Sequence, residues 1–282
     1  MTMDEPISNA PGPVEQAVQI LAGTRFTVLT GAGISTDSGI PDYRGPDSPP
    51  RTPMTYQQFV GDEAFRRHYW ARNHVGWRHM RTTLPNAGHR ALVGLERRGL
   101  LTGVITQNVD LLHEQAGARN VIDLHGHYNE VICLSCRTVF TRAHVHERLE
   151  QANPDFAVEV GDVEIAPDAD AVLVDTAGFV VPPCEVCGGM LKPNIVYFGE
   201  NVPKDRVADA FAMLDDGGAL LVAGSSLTVM SGLRFVRRAH AADKPVVIVN
   251  RGTTRGDELA DLVVDDGTSE FLAELAASLP DL

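Results

Sequence analysis

Phe26-Thr27-Val28-Leu29-Thr30-Gly31-Ala32-Gly33 drives a short apolar run straight into a glycine turn. With the helix expected after it, the stretch has the strand–turn–helix layout that holds a nucleotide by its phosphates. Upstream, Val14, Val18 and Leu21 fall on one helical face that ends near Gly23. Downstream, apolar runs recur at Val104-Ile105, 121–124, Ala219–Ala223 and Val246–Val249, with helical patterns at Ala87–Arg97 and 207–214 between them. This alternation predicts an α/β fold, a doubly wound parallel sheet covered by helices.

The chain has 282 residues, 44% of them hydrophobic, which suits one large globular domain or a domain carrying a sizeable insertion. Lys+Arg 24 against Asp+Glu 37 gives a formal charge of -13. Phosphates are repelled by such a balance at long range, which argues against a general binder of nucleic acid or anionic membranes. A lysine-rich peptide stays compatible as a partner. No apolar run approaches the length of a membrane span. The segment Met1 to Gln16 has acids and prolines but no Arg and no apolar signal core, so a cytoplasmic location is expected.

A glycine turn lets the backbone approach a pyrophosphate, whose charge the following helix N-terminus favours. Gly31, Ala32 and Gly33 form the turn, and Thr36 stands where the third glycine of the dinucleotide fingerprint belongs. Alone this is a weak signal, because such turns also merely connect elements. Its continuation, Ser38-Gly39-Ile40-Pro41-Asp42-Tyr43-Arg44, is a charged and aromatic loop suited to cover a nucleotide, with Arg44 able to pair with phosphate. A second cluster, Thr106-Gln107-Asn108-Val109-Asp110, follows the Val104-Ile105 strand, and His125-Gly126 follows the run at 121–124.

Polar side chains at the carboxyl ends of parallel strands face the crevice where such sheets bind ligands. The plainer alternatives are a helix cap at Asn108 or Asp110 and a structural His125. Arrival of three clusters at strand ends favours a site. The parts suit cleavage of the glycosidic bond of NAD, since a neutral imidazole, with a reference pKa of about 6.5, accepts a ribose hydroxyl proton near neutral pH. Asn108 would orient ribose or a water, and Asp110 would bind the nicotinamide carboxamide.

Cys133-x-x-Cys136 and Cys184-x-x-Cys187 supply four thiolates, the full complement of a closed tetrahedral zinc site. Four protein ligands leave no position for a reactive water, so the metal is expected to brace the fold. A redox dithiol would be read from one pair in a thioredoxin-like setting. A catalytic metal would draw on His125 and His127, or His144 and His146. The gap between the pairs includes an acidic surface excursion at 164–175. The domain organisation expected is a flexible tail at 1–12, a Rossmann-like domain at 13–45, 85–128 and 191–282, and a smaller inserted lobe. That lobe combines a helical insertion at 46–84 with a zinc-binding module at 129–190.

Together these strings resemble the sirtuin family of NAD-dependent protein deacylases, from about Arg25 to Leu275. Further markers are Leu124-His125-Gly126, Tyr197-Phe198-Gly199-Glu200, Gly224-Ser225-Ser226-Leu227 and Val249-Asn250. The resemblance implies that an acyl-lysine carbonyl displaces nicotinamide from NAD, giving an alkylimidate. His125 then serves as general base, with Asn108 assisting, and the products are 2′-O-acyl-ADP-ribose and free lysine. It also implies that Gly31, Ala32, Gly33, Thr36, Asp42, Tyr43, Arg44 and the residues Gln107, Asn108, Val109 and Asp110 line the NAD pocket. Gly224, Ser225, Ser226, Asn250, Arg251 and Gly252 would serve the adenosine end, with Thr268 touching adenine through its backbone. Val196, Tyr197, Phe198, Gly199 and Glu200, together with Leu227 and Val229, would flank a peptide that adds as an extra strand.

Within the family the chain resembles the class II branch, through 67–73, Val75-Gly76-Trp77, Ala166-Pro167-Asp168 and Ser231-Gly232. That branch implies a preference for acyl groups other than acetyl. Tyr69 and Arg72 have the Tyr-x-x-Arg spacing by which class III members grip acyl carboxylates, and at i and i+3 they share a helix face. The competing reading packs Tyr69 in a helical core and leaves Arg72 solvated. Other activities compatible with an NAD pocket are protein ADP-ribosyl transfer, NAD sensing without catalysis and dehydrogenation. The altered glycine turn and a structural zinc count against the last.

Overall fold

The computed structural model describes residues 10–45, 53–156 and 176–282. The start of the tail, the acidic stretch at 164–175 and Ala166-Pro167-Asp168 lie outside them. Six parallel strands form the main sheet: β1 (Phe26–Thr30), β2 (Leu101–Thr106), β3 (Val121–Asp123), β7 (Ala219–Ala223), β8 (Val246–Val249) and β9 (Leu262–Val264). Their order is β3-β2-β1-β7-β8-β9. The order in which strands are added therefore reverses between β1 and β7, the switch point at which open α/β sheets bind ligands. Every residue of β1, β2, β7 and β8 is buried, as expected where helices cover both faces. Val28 packs on one side with α1 (Pro13–Leu21), α4 (Ala87–Arg97) and α9 (Thr268–Ser278). Leu29 faces the other, with α7 (Lys204–Asp216) and α8 (Met230–Ala241).

The helix expected after the glycine turn is a 3-10 helix, Ala32–Ser38. Two local features account for this. Thr36, in the place of the missing glycine, donates its hydroxyl to the Gly33 carbonyl at 3.0 Å and competes with helical bonding. Gly39, at φ 86°, then closes the turn in a left-handed conformation.

Residues 55–80 form α2 (Tyr56–Gly61) and α3 (Glu63–Met80). Thr55 caps α2 reciprocally with Gln58, and the Asp62 carboxylate caps α3 by accepting from Ala64 N at 2.7 Å. The buried face of α3 packs on an antiparallel sheet of β5 (Val139–Thr141), β4 (Gly126–Cys133) and β6 (Leu191–Ile195), with α6 (Arg142–Ala152) beside it. Trp70, fully buried, donates its indole N–H to Leu191 O at 3.2 Å. Helical segment and cysteine-bearing sheet thus share one core, which is why neither stands as a separate unit. Among the described residues no helix is long and apolar enough to cross a membrane.

At the switch point two backbones touch. Gly33 N donates to Gly224 O at 2.8 Å, and a Cβ on Gly224, at φ 67°, would sit 2.4 Å from Ile34 N. Gly94, inside α4, has nothing within 4 Å of the same position. Gly224→Ala should therefore cost about 2 kcal/mol or more, while Gly94→Ala should be neutral or stabilising by up to about 1 kcal/mol. Urea unfolding of both variants measures the contrast.

Candidate active site

A cavity of about 420 Å³ opens at the carboxyl ends of β1, β2, β7 and β8. Gly31, Ala32, Gly33 and Thr36 form one wall with the loop residues Asp42, Tyr43 and Arg44. Gln107, Asn108, Val109, Asp110 and His125 form the next. Gly224, Ser225, Ser226, Leu227, Val229, Asn250, Arg251 and Thr268 close the adjoining side, and Val196 through Glu200 with Tyr69 close the opposite one. Two anticipated residues are absent from this wall, Gly252 and Arg72. The Asn250 amide folds back on the carbonyls of Arg251 and Gly252, while Gly252 N donates to Asp265, which turns that residue away. Arg72 shares a hydrogen bond with His68 at 3.2 Å, one turn back along α3.

His125 is held at both ring nitrogens. Nδ1 lies 2.8 Å from the Gln107 carbonyl, which only accepts, so this nitrogen carries the proton. Nε2, left with its lone pair, accepts from Ser231 Oγ at 2.9 Å. Burial pushes the imidazole pKa down to about 4, the Gln107 carbonyl opposes that, and the Arg206 and Arg234 guanidiniums lower it further. The ring is neutral at pH 7, with its basic nitrogen turned toward the cavity residue Ser231.

Ser35 organises the neighbouring polar groups. Its hydroxyl donates to Asp110 Oδ2 at 2.7 Å and receives the Asn108 amide at 3.1 Å, while that amide also reaches Gly31 O at 3.2 Å. Asp110 additionally accepts at 2.9 Å from the N–H of Leu112, the first residue of α5 (Leu112–Ala116), but the N-cap of that helix is Leu111 and not Asn108 or Asp110. Burial raises the Asp110 pKa against these hydrogen bonds. Gln107 accepts from Ser225 Oγ at 2.6 Å, and the bare Gly232 makes room for it, since a Cβ there would lie 2.8 Å from the amide nitrogen. Thr268 meets the glycine turn through its side chain, Oγ1 donating to Gly33 O at 3.3 Å. On the opposite side Glu200 accepts from Tyr197 N at 3.0 Å and pairs with the buried Lys192 at 2.9 Å.

Ser231 and Arg234, both on the wall, went unassigned in the sequence. Ser231-Gly232 was visible only as a branch marker, and nothing local ties a residue of α8 to His125.

The four cysteines converge from the turn after β4 and the turn before β6. Cys133 and Cys187 sulfurs lie 3.5 Å apart and Cys136 and Cys184 sulfurs 3.8 Å, with all four within 4.8 Å. Tetrahedral zinc with sulfurs at about 2.3 Å spaces them by about 3.8 Å, so the set fits the ion. His144 instead pairs with Glu185 at 3.1 Å. His146 lies near His74 and Glu150, but the two rings stack at 4.3 Å and 26°, so their in-plane lone pairs do not converge.

Residues 31–231 match the Sir2 family. The chain belongs to that family. It is 63% identical over 270 residues to the NAD-dependent protein deacetylase 1 of Mycobacterium avium strain 104, covering 95% of this chain and 96% of that one. It resembles a solved Sir2 structure with a p53 peptide and NAD+ at a TM-score of 0.75 and 33% identity, over 94% of this chain and 97% of the other. A Sir2Tm structure with a propionylated peptide superposes at 0.72 and 31%, over 94% and 97%. In this Sir2 protein, denaturation in the presence of a chromogenic chelator should release about one zinc per chain. Cys184→Ala should abolish that release and lower the melting temperature.

Proposed function

We propose that this protein removes acyl groups from lysine side chains in an NAD-dependent reaction, yielding nicotinamide, free lysine and 2′-O-acyl-ADP-ribose. The observation that carries the reading is the neutral, single-tautomer His125 in the same cavity as the glycine turn and the 196–200 segment. The relative named a deacetylase and the Sir2 structures with NAD+ and acylated peptide support it.

NAD supplies an activated glycosidic bond, and the chain's own residues do the rest. Backbone at Gly31 to Gly33 and the start of the 3-10 helix receive the pyrophosphate, with Arg44 closing from the loop. Gly224, Ser225, Ser226, Asn250, Arg251 and Thr268 hold the adenosine end. Asp110, in a pocket with Ser35 and Asn108, binds the nicotinamide carboxamide, and Asn108 orients ribose or water. His125 Nε2 takes the ribose hydroxyl proton, for which its lone pair must exchange Ser231 for the sugar. The peptide lies between the 196–200 and 227–229 backbones as an added strand, so main-chain bonds dominate and sequence preference is loose.

Tyr69 on the wall and the class II resemblance at 67–73 and Ser231-Gly232 support a preference for acyl groups other than acetyl. The test incubates protein, NAD and a panel of acyl-lysine peptides, following deacylated peptide and O-acyl-ADP-ribose by mass spectrometry. Both products should appear together, with kcat/KM higher for longer or carboxylated acyl groups. His125→Tyr should lower kcat about 100- to 10,000-fold. Labelled protein without deacylated peptide would favour ADP-ribosyl transfer, and NADH would favour dehydrogenation.

A further inference from the structure

Three guanidiniums stand on the cavity wall, those of Arg44, Arg234 and Arg251. Arg44 belongs to the loop beside the glycine turn and Arg251 to the adenosine end. Arg234 has no place in that scheme. It sits on α8 one turn beyond Ser231, and residues at i and i+3 share a helix face. Ser231 touches His125 Nε2 at 2.9 Å, so Arg234, three residues on, lies about 4.5 Å further along the helix axis from the reacting centre. Its charge is felt at His125, whose protonation it disfavours.

The state of the side chain is informative. Arg234 Nε donates to Met230 O at 3.2 Å, which fixes the stem, and among the described residues no carboxylate takes the two terminal nitrogens. The wall carboxylates are all engaged elsewhere. Asp42 accepts from Arg44 N and Gly45 N, Asp110 from Ser35 and Leu112 N, Glu200 from Lys192, and Asp266 from Gly267 N. A half-exposed guanidinium held by its stem, with its fork open to a cavity, has the geometry for bidentate carboxylate recognition. The chain's charge of -13 disfavours a carboxylate at long range, and a cation on the cavity wall offsets that repulsion locally. Arg72, the residue whose spacing suggested this role, is turned toward His68 and is off the wall, although its neighbour Tyr69 is on it.

We infer that Arg234 binds a carboxylate carried by the substrate at the distal end of a dicarboxylic acyl group of succinyl to glutaryl size. The inference rests on the acyl preference proposed above and names the residue that would confer it.

The experiment compares wild type, R234Q, R234K and R72Q on acetyl-, butyryl-, succinyl- and glutaryl-lysine peptides, each with neutral and with acidic flanking residues. R234Q should lower the ratio of kcat/KM for glutaryl over acetyl about 10- to 100-fold, the loss expected of hydrogen bonds to a charged group. R234K should recover part of the ratio, R72Q should leave it at the wild-type value, and glutaryl-peptide affinity measured by calorimetry should fall in R234Q in parallel. Equal losses on all four acyl groups, or a loss confined to the KM for NAD, would overturn the inference. A loss that follows acidic flanks with acetyl-lysine would overturn the acyl assignment and place the bound carboxylate on the peptide. A wild type that prefers acetyl while the R234Q ratio still falls would remove the proposed acyl preference and leave Arg234 standing.

Discussion

The close approach of two backbones at Gly33 and Gly224 is the constraint from which the site follows. A hydrogen bond of 2.8 Å joins them across the point where the strand order of the sheet switches, and neither position admits a Cβ. Because side chains are missing there, the amides of the turn line the cavity directly and the 3-10 helix begins at its edge. The same contact sets β1 and β7 in register, Thr30 beside Ala223, so the residues leaving both strands enter one crevice. Gln107, bonded to Ser225, links a third strand end to this pair.

From that frame the His125 imidazole gains a single orientation. The Gln107 carbonyl that fixes the His125 tautomer belongs to the residue whose side chain meets Ser225, so one residue ties the imidazole to the end of β7. Ser231 reaches the other nitrogen from α8, which places the helix start against the His125 ring. The smaller lobe contributes the far wall. Its core of Trp70, Tyr128, Leu149 and Leu191 is tied by the cysteine cluster, and it presents the 196–200 segment held by the Lys192–Glu200 pair.

Much of this was legible because strands buried on both faces leave continuous apolar runs, and because β1, β7 and β8 each end in a polar motif. The four cysteines were equally plain as two Cys-x-x-Cys pairs, and the β4–β6 pairing brings the pairs together. Other elements left fainter marks. β9 is a half-exposed edge of three residues, and α8 reads Met-Ser-Gly-Leu-Arg-Phe, with Ser and Gly where a helix former would be expected. The 3-10 character of the turn depends on a Thr36 hydroxyl bond that periodicity does not encode. Ser231 and Arg234 could not be assigned because only the tertiary fold carries α8 across to His125. Tyr69 and Arg72 show the converse: shared helix face was correctly inferred, but a face spans more than one environment, and only Tyr69 meets the cavity.

The central claim is that a buried, neutral His125 is the base in the free enzyme, and the pH dependence of kcat/KM tests it most directly. A pKa lowered by burial to about 4 keeps the lone pair available as pH falls well below the ordinary imidazole range. The account predicts an acid limb near pH 4 that reports loss of the neutral ring. A limb between about pH 6 and 7, where an unperturbed imidazole titrates, would contradict it.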